Sequence, residues 1–233
     1  MPETHNKYIK ALMDISSAIT SDLYLEDILK LIVMVTARVT GVKICSLWLI
    51  DESVSPKMIR LKASQTIDPN YVKDRLLNMN EGVVGFVATS KCPLIVRNVL
   101  KEPRFKEKNM ARKLGLVSMI SVPLQVQSEK VIGVLNCFTA RPHAFSKTDV
   151  NMITAVANQA AVAIINTELM VKTRIIQEEL ETRKLVGRAK EILMQCRNKT
   201  GIQAYRWMQK RSMDTRKSMR EVAEAILLSE EFE

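Results

Sequence analysis

The stretch from Asp149 to Val186 runs for 38 residues without a glycine or a proline. Helices of globular proteins usually span about 8–20 residues, so a stretch of this length without a breaker predicts one long helix. Ile153, Val156, Ala160, Ala163 and Thr167 follow a seven-residue repeat, and Leu169, Ile176 and Leu180 continue the apolar seam. Because the seam outruns the face of one domain, we expect it to pair with a second copy as a coiled coil in a homodimer.

The residues before this helix alternate between strand-like and helix-like patterns. Helices are predicted over roughly the first 20 residues, over Leu25–Val39 and over Glu81–Ser90, and Ser146 with Asp149 marks the start of the long helix. Strands are predicted at Ile44–Asp51, Met58–Ser64, Pro93–Val96, Val117–Val126 and Val131–Phe138, the last two forming a hairpin. Residues 1–165 are therefore predicted to form an α/β or α+β domain around one mixed central sheet.

The chain after Val186 has the pattern of three short helices. Thr200 with Gln203, and Ser218 with Glu221, have capping-box spacing and mark the second and third helix starts. The apolar stripes are Leu185, Ala189, Ile192, Leu193 and Cys196, then Ala204, Trp207, Met208 and Met213, then Met219, Val222, Ala223, Ile226 and Leu227. We predict a three-helix bundle over residues 183–233, joined by a helical linker over residues 166–182.

The net charge of +10 is concentrated near the C-terminus. Arg183–Arg220 holds 12 Lys and Arg residues but only two acids, Glu191 and Asp214, whereas the rest of the chain holds 23 residues of each sign. The positive charges in this block repel one another unless a polyanion binds them, so nucleic acid is the expected partner. An anionic membrane surface is the weaker alternative, because the apolar residues of this block are needed for the bundle core.

Most basic residues of this block fall off the apolar stripes and are candidate phosphate contacts. They are Arg188, Lys190, Arg206, Lys210, Arg211, Arg216, Lys217 and Arg220. A basic three-helix unit suits RNA or DNA, and helix count alone does not separate the two.

The bundle resembles the ANTAR domain, the RNA-binding module of bacterial transcription antiterminators. The resemblance rests on Ala189-Lys190, Leu193-Met194, Ala204-Tyr205, Arg211–Arg216 and Val222–Ile226. Glu191 stands where the family often has glycine. The resemblance implies that a dimer binds tandem hairpins in a nascent leader transcript and so prevents a terminator hairpin from forming. Tyr205 is either an exposed aromatic that stacks on a loop base or a core side chain beside Ala204.

The N-terminal part resembles the GAF domain, a small-molecule sensing and dimerising fold. The resemblance rests on Glu81–Ala88, the Asn98–Phe105 loop, Ser121–Leu124 leading into Val131–Leu135, the Phe145–Asp149 helix entry and Ala160–Ile164. It implies an effector site, for which Phe86, Met119, Asn136 and Phe138 are the candidate lining residues. The same four residues would equally suit a filled core, and the ligand is not identified by the sequence.

Catalytic and metal-binding constellations are missing from the sequence. Cys45, Cys92, Cys137 and Cys196 form no CxxC pair, and His5 and His143 stand alone, so we expect reduced thiols and no metal site. Cys45, Cys137 and Cys196 lie in apolar surroundings and are expected to be buried. A GAF-fold enzyme such as a free methionine sulfoxide reductase is disfavoured, because the expected pocket loops carry no cysteine.

The predicted protein is therefore a cytoplasmic, homodimeric regulator rather than an enzyme. It has no membrane-spanning segment or secretory signal by pattern. RNA binding by the C-terminal helices is the leading interpretation, and DNA binding by the same helices is the alternative.

Overall fold

The computed structural model describes Met13 and residues 24–65, 75–126, 130–197 and 199–230. The chain divides into two compact units, residues 1–168 and residues 169–233. Apart from Met13, the helix predicted over roughly the first 20 residues lies outside the described residues. The domain boundaries predicted at residues 165 and 182 stay predictions.

The described chain contains the following elements in order. They are α1 (Leu25–Thr40), β1 (Ile44–Asp51), β2 (Met58–Ser64), β3 (Leu76–Asn78), α2 (Gly82–Ser90), β4 (Leu94–Val96), α3 (Lys108–Leu114), β5 (Ser118–Val126), β6 (Lys130–Thr139), α4 (Lys147–Arg197), α5 (Gly201–Thr215) and α6 (Met219–Glu230).

The first unit is built around a six-stranded sheet in the order β3-β2-β1-β6-β5-β4. Each pairing between these strands is antiparallel. The α+β class is confirmed, but the sheet is antiparallel where the sequence predicted a mixed one. The difference arises because strand periodicity reports which face is buried and carries no information about the direction of a neighbouring strand.

Helices cover both faces of the sheet, and alternate residues of β1 face opposite sides. Cys45 and Leu47 belong to the core that the sheet forms with α1 and α4. Trp48 packs on the other side with Val84 of α2. Because both faces of β1 are buried, its sequence is nearly continuously apolar.

The centre of the sheet requires a glycine at position 133. Gly133 of β6 lies opposite Leu49 of β1, and a Cβ there would collide with the carbonyl oxygen of Trp48. The glycine therefore permits the close approach of β1 and β6.

Helix α4 is one continuous helix of 51 residues. It begins at the predicted capping box, where the Ser146 N–H donates to Asp149 at 2.8 Å and the Asp149 N–H donates to Ser146 Oγ at 3.2 Å. It passes through Gly187, although the sequence predicted a separate helix after Val186. A single glycine costs a helix only about 1 kcal/mol relative to alanine, which the flanking helix-forming residues outweigh.

The length and composition of α4 would also suit a membrane span. Its most apolar part, however, supplies Ile153, Ala160 and Ile164 to the core of the first unit. Core helices share this composition, so the pattern carries no argument for a membrane.

The second unit is a small bundle formed by the end of α4 with α5 and α6. Its core contains Ala189, Leu193, Ala204, Met208, Val222 and Ala223. The three alanines are fully buried, which lets the helices approach closely. Both predicted capping boxes are present: the Gln203 N–H donates to Thr200 Oγ1 at 3.3 Å, and the Ser218 N–H donates to Glu221 at 2.7 Å.

Two side chains of the predicted stripes are exposed rather than buried. Met213 is 72% exposed because it lies five residues after Met208, which turns it away from the buried side of α5. Cys196 is also exposed, in the last turn of α4. The predicted burial of Cys196 is therefore wrong, whereas that of Cys45 and Cys137 is confirmed.

Candidate nucleic-acid interface

The predicted phosphate contacts lie on the surface of the second unit. Exposed side chains are Arg188, Arg206, Lys210, Arg211, Arg216 and Lys217, while Lys190 and Arg220 are half-buried. They do not form one cluster but fall into groups on different sides of α5 and α6.

The first group surrounds the outer face of α5, which consists of Ile202, Tyr205, Arg206, Gln209 and Met213. These positions recur at spacings of three and four, so they share one side of the helix. Tyr205 is 43% exposed, which excludes the core interpretation that the sequence left open. The sequence analysis missed Ile202 and Gln209, whose signal was their spacing opposite the buried Ala204 and Met208.

An open recess of about 570 Å³ lies beside this outer face. Lys190 of α4 and Arg206 of α5 line it together with Tyr205. Two cations and an aromatic ring in one open recess suit contact with a phosphate backbone and an unstacked base.

A second group lines the bundle groove, a cavity of about 360 Å³ between α4, α5 and α6. The lining residues are Ile192, Leu193, Cys196, Trp207, Arg211, Thr215, Lys217, Glu221, Val222, Ala225, Ile226 and Ser229. Trp207 also packs against the bundle core, as the sequence predicted.

The turn between α5 and α6 has a fixed backbone. Arg216 has a φ of 55°, and its N–H donates to the Met213 carbonyl at 3.3 Å to end α5. Ser212 Oγ donates to the Lys217 carbonyl at 2.5 Å. The basic side chains of Arg216 and Lys217 therefore project from an ordered turn.

Arg220 differs from the other basic residues because it is paired with acids. Its Nε donates to Glu224 at 2.9 Å, and its Nη1 lies 3.6 Å from Glu181 on α4. The hydrogen bond to Glu224 raises the pKa of the guanidinium. A phosphate that binds Arg220 would therefore have to compete with Glu181 and Glu224 for the guanidinium.

The first unit contains a small cavity beneath α2. Met119, Asn136 and Phe138 line it, and its volume is about 40 Å³. Asn136 Oδ1 accepts a hydrogen bond from Ser121 Oγ at 2.6 Å. Ligand sites usually have volumes of roughly 300–1,000 Å³, so in this conformation the cavity has room for water molecules only.

Phe86, the fourth predicted pocket residue, lies outside this cavity. The guanidinium carbon of Arg104 lies 4.2 Å from the centre of its ring. This cation–π contact attaches the loop before α3 to α2.

Glu81 also holds this loop, through Lys106. Its Oε1 accepts a hydrogen bond from Lys106 Nζ at 2.7 Å, and its Oε2 accepts from the backbone and side-chain nitrogens of Asn78 at 2.9 Å. These bonds lower the pKa of Glu81 to about 2, with Lys106 the largest cause. Lys106 and Glu107 line the cavity, so the bond between Glu81 and Lys106 restrains one of its walls.

Two family models match the chain at the places where these units lie. The GAF domain model matches residues 24–164, and the ANTAR domain model matches residues 175–227. The chain belongs to the GAF domain family and carries an ANTAR domain after it. The resemblances drawn from the sequence are confirmed.

Solved GAF structures resemble the first unit. The GAF domain of an Acinetobacter phosphoenolpyruvate-protein phosphotransferase is 26% identical with a TM-score of 0.59, covering 71% of this chain and 97% of that one. A free methionine-R-sulfoxide reductase from Neisseria meningitidis is 19% identical with a TM-score of 0.57, covering 70% of this chain and 91% of that one. The second likeness shows a shared fold alone.

A curated relative matches a shorter part of the chain. The transcriptional regulatory protein PdtaR of Mycobacterium tuberculosis is 43% identical over 61 residues, which are 26% of this chain. The chain spans only 30% of the length of this relative.

Two thiols of the GAF domain, Cys45 and Cys137, are poorly placed for nucleophilic chemistry. Cys45 and Cys137 are buried with their Sγ atoms 3.4 Å apart, and burial raises the pKa of the Cys45 thiol well above its usual range. A raised pKa keeps a thiol protonated and unreactive. Within the part of the chain that the structure describes, no three His, Cys, Asp or Glu residues are grouped to hold a metal ion.

Proposed function

We propose that this chain is a signal-responsive regulator of transcription antitermination whose ANTAR domain binds hairpin RNA. The observation that carries the proposal is the bundle itself, where apolar residues form the core while Tyr205 and the basic residues of α5 are exposed. The cations attract phosphate, and binding releases counterions. Sequence preference comes from unstacked loop bases that contact aromatic and polar side chains.

We propose the same RNA contacts that the sequence predicted, but we expect them to contribute unequally to RNA binding. Lys190, Tyr205 and Arg206 act together at the recess, because they line the same space. Arg211 and Lys217 act at the bundle groove. Arg188, Lys210 and Arg216 add phosphate attraction from exposed positions, and Arg220 contributes least because Glu181 and Glu224 already pair with it.

The proposal includes a homodimer held together by α4. Leu169, Ile176 and Leu180 are 52–64% exposed and share one side of the helix. A stripe of large apolar side chains left in water favours pairing with the same stripe of a second copy. The proposed domain organisation is therefore a GAF domain over residues 1–165, a coiled-coil linker over residues 166–182 and an ANTAR domain over residues 183–233.

The GAF domain would sense an effector or hold the dimer. A cavity of about 40 Å³ must enlarge to accept an effector, and the Glu81–Lys106 contact is the local restraint on that change. Helix α4 contributes to the cores of both units, so a shift at the GAF end can change how the ANTAR domains are presented. The proposed protein acts in the cytoplasm, without a metal or a catalytic step.

A transcription assay tests the proposal directly. The template encodes two short-loop hairpins, the second overlapping the stem of an intrinsic terminator. Added protein is expected to raise read-through, and a Lys210→Ala/Arg211→Ala variant to raise it less. If read-through is unchanged while duplex DNA is bound in preference to the transcript, the protein is instead a DNA-binding regulator.

A further inference from the structure

The bundle groove has a composition that the phosphate contacts of the ANTAR domain do not explain. Ile192, Trp207 and Ala225 contribute apolar or aromatic walls, whereas Arg211 and Lys217 place two cations among the lining residues. A surface that bound only phosphates would have no need of a cavity of about 360 Å³ with apolar side chains in its walls. This lining suits a ligand in which a flat, uncharged ring is attached to negatively charged groups.

The charged side of the groove is carried by ordered backbone. Lys217 lies in the turn fixed by Ser212, and Arg211 lies one helical turn after Trp207 on α5. Glu221 also lines the groove, but its carboxylate accepts hydrogen bonds from the N–H and the hydroxyl of Ser218 at 2.7 and 2.8 Å. Two cations against one acid leave the lining with a positive balance.

We propose that an unpaired base from a hairpin loop inserts into the bundle groove and lies against Trp207. Its flanking phosphates bind Arg211 and Lys217. A nucleobase has the flat apolar faces that an aromatic wall accepts, and each base is joined to phosphates on either side. This inference rests on the proposed RNA binding and names the place where the loop is read.

The groove and the outer face of α5 would then have different tasks. Tyr205 and Arg206 lie beside an open recess and contact the RNA from outside. Trp207 and Arg211 line a cavity with walls on three helices, where one base is enclosed. An enclosed groove discriminates between bases, because a base of the wrong shape would leave the apolar walls of the groove exposed to water.

A coupling experiment between protein and RNA tests this assignment. The probe is a hairpin that the wild-type protein selects from a pool with randomised loops, together with copies in which one loop base at a time is replaced by an abasic sugar. In the wild-type protein, one abasic position is expected to weaken binding about tenfold, the size of a lost base–aromatic stack.

The test variant Ala225→Trp fills the groove from an exposed wall position. It is expected to bind the intact hairpin as weakly as the wild-type protein binds the abasic copy, with no further loss on the abasic copy. Leu228→Trp adds a similar bulk at an exposed position of α6 that lines neither the groove nor the recess, and it is expected to keep the tenfold difference between the two RNAs. Equal discrimination by all three proteins would overturn the proposal.

Cys196 gives an independent measurement without any substitution. It lines the groove and is exposed, whereas Cys92 is exposed in the GAF domain and provides the internal control. Saturating hairpin is expected to slow alkylation of Cys196 by N-ethylmaleimide at least fivefold while Cys92 reacts as before. The abasic copy, at a concentration that saturates the protein, is expected to protect Cys196 less.

Other outcomes separate the ways in which the account can fail. If Ala225→Trp changes the mass of the oligomer and leaves RNA discrimination intact, the groove is a contact between copies and the inference is wrong. If the hairpin binds tightly but Cys196 is never protected, the inference is wrong and the proposed function stands. If no hairpin is selected from the pool, the proposed function itself fails.

Discussion

Arg220 of α6 lies across from Glu181 of α4, with 3.6 Å between its Nη1 and the carboxylate Oε2. These residues are 39 positions apart in the sequence, and their contact joins the last helix of the bundle to the helix that enters it. A bound phosphate would have to compete with this carboxylate for the guanidinium.

Removal of the competing carboxylate should therefore strengthen RNA binding. We expect Glu181→Gln to raise affinity for a selected hairpin about twofold to fivefold, the range that an exposed ion pair can supply. Glu179→Gln makes the same change of charge two residues away, on a different side of α4, and is expected to have a smaller effect. Equal gains in the two variants would show that only net charge matters and that the pairing of Arg220 does not.

The seam of α4 should hold the dimer. Ile176→Asn/Leu180→Asn places two amides on the exposed seam, whereas Val171→Asn/Ile175→Asn makes the same substitutions on the opposite side of the helix. Sedimentation is expected to show monomers for the first variant and dimers for the second. Loss of the dimer should weaken binding to a tandem hairpin about tenfold to a hundredfold and leave a single hairpin unaffected.

The sequence was informative wherever a structural signal is local. The capping boxes at Ser146, Thr200 and Ser218 each depend on residues three positions apart, and all three are present. The family patterns and the burial of the central strand β1 depend likewise on short stretches of sequence. These features predicted the order of the two domains and most of the bundle core correctly.

Features set by distant contacts were not predictable from the pattern. The antiparallel sheet depends on which strands meet, and the pairing of Arg220 depends on a carboxylate from another helix. The exposure of Met213, in contrast, follows from local helix periodicity, because its place five residues after Met208 turns it away from the buried side of α5. The helix through Gly187 was missed because glycine is only a weak breaker in a helix with favourable neighbours.

Two glycine substitutions should have opposite effects on stability. Gly187→Ala is expected to stabilise the ANTAR end of α4 by about 1 kcal/mol, because alanine favours helix and no atom lies within 4 Å of the new methyl group. Gly133→Ala should destabilise the GAF domain by about 3 kcal/mol or more, since its methyl group would meet the backbone of Trp48. Thermal unfolding followed by circular dichroism measures both, and a stable Gly133→Ala protein would contradict the packing of β6 against β1.

The Glu81 network should make the stability of the GAF domain depend on acid pH. The pKa of Glu81 is lowered from 4.5 to about 2 in the folded protein, so the unfolded chain takes up this proton first as the pH falls. The network therefore stabilises the fold fully above about pH 4.5 and loses its effect as the pH falls towards 2. Glu81→Gln should show a smaller fall in melting temperature over this window, and an unchanged pH dependence would show that Lys106 and Asn78 do not hold this carboxylate in solution.

The most direct test of the account is the selectivity of binding across a salt series. The protein is offered a selected hairpin RNA, a scrambled RNA of equal length and duplex DNA, with the Lys210→Ala/Arg211→Ala variant in parallel. Contacts with phosphate alone weaken as salt rises, with a slope of roughly −0.7 per phosphate for single strands, whereas base contacts keep their preference. The account predicts that preference for the hairpin persists at high salt and falls in the variant. Equal and equally salt-sensitive binding to all three nucleic acids would contradict it.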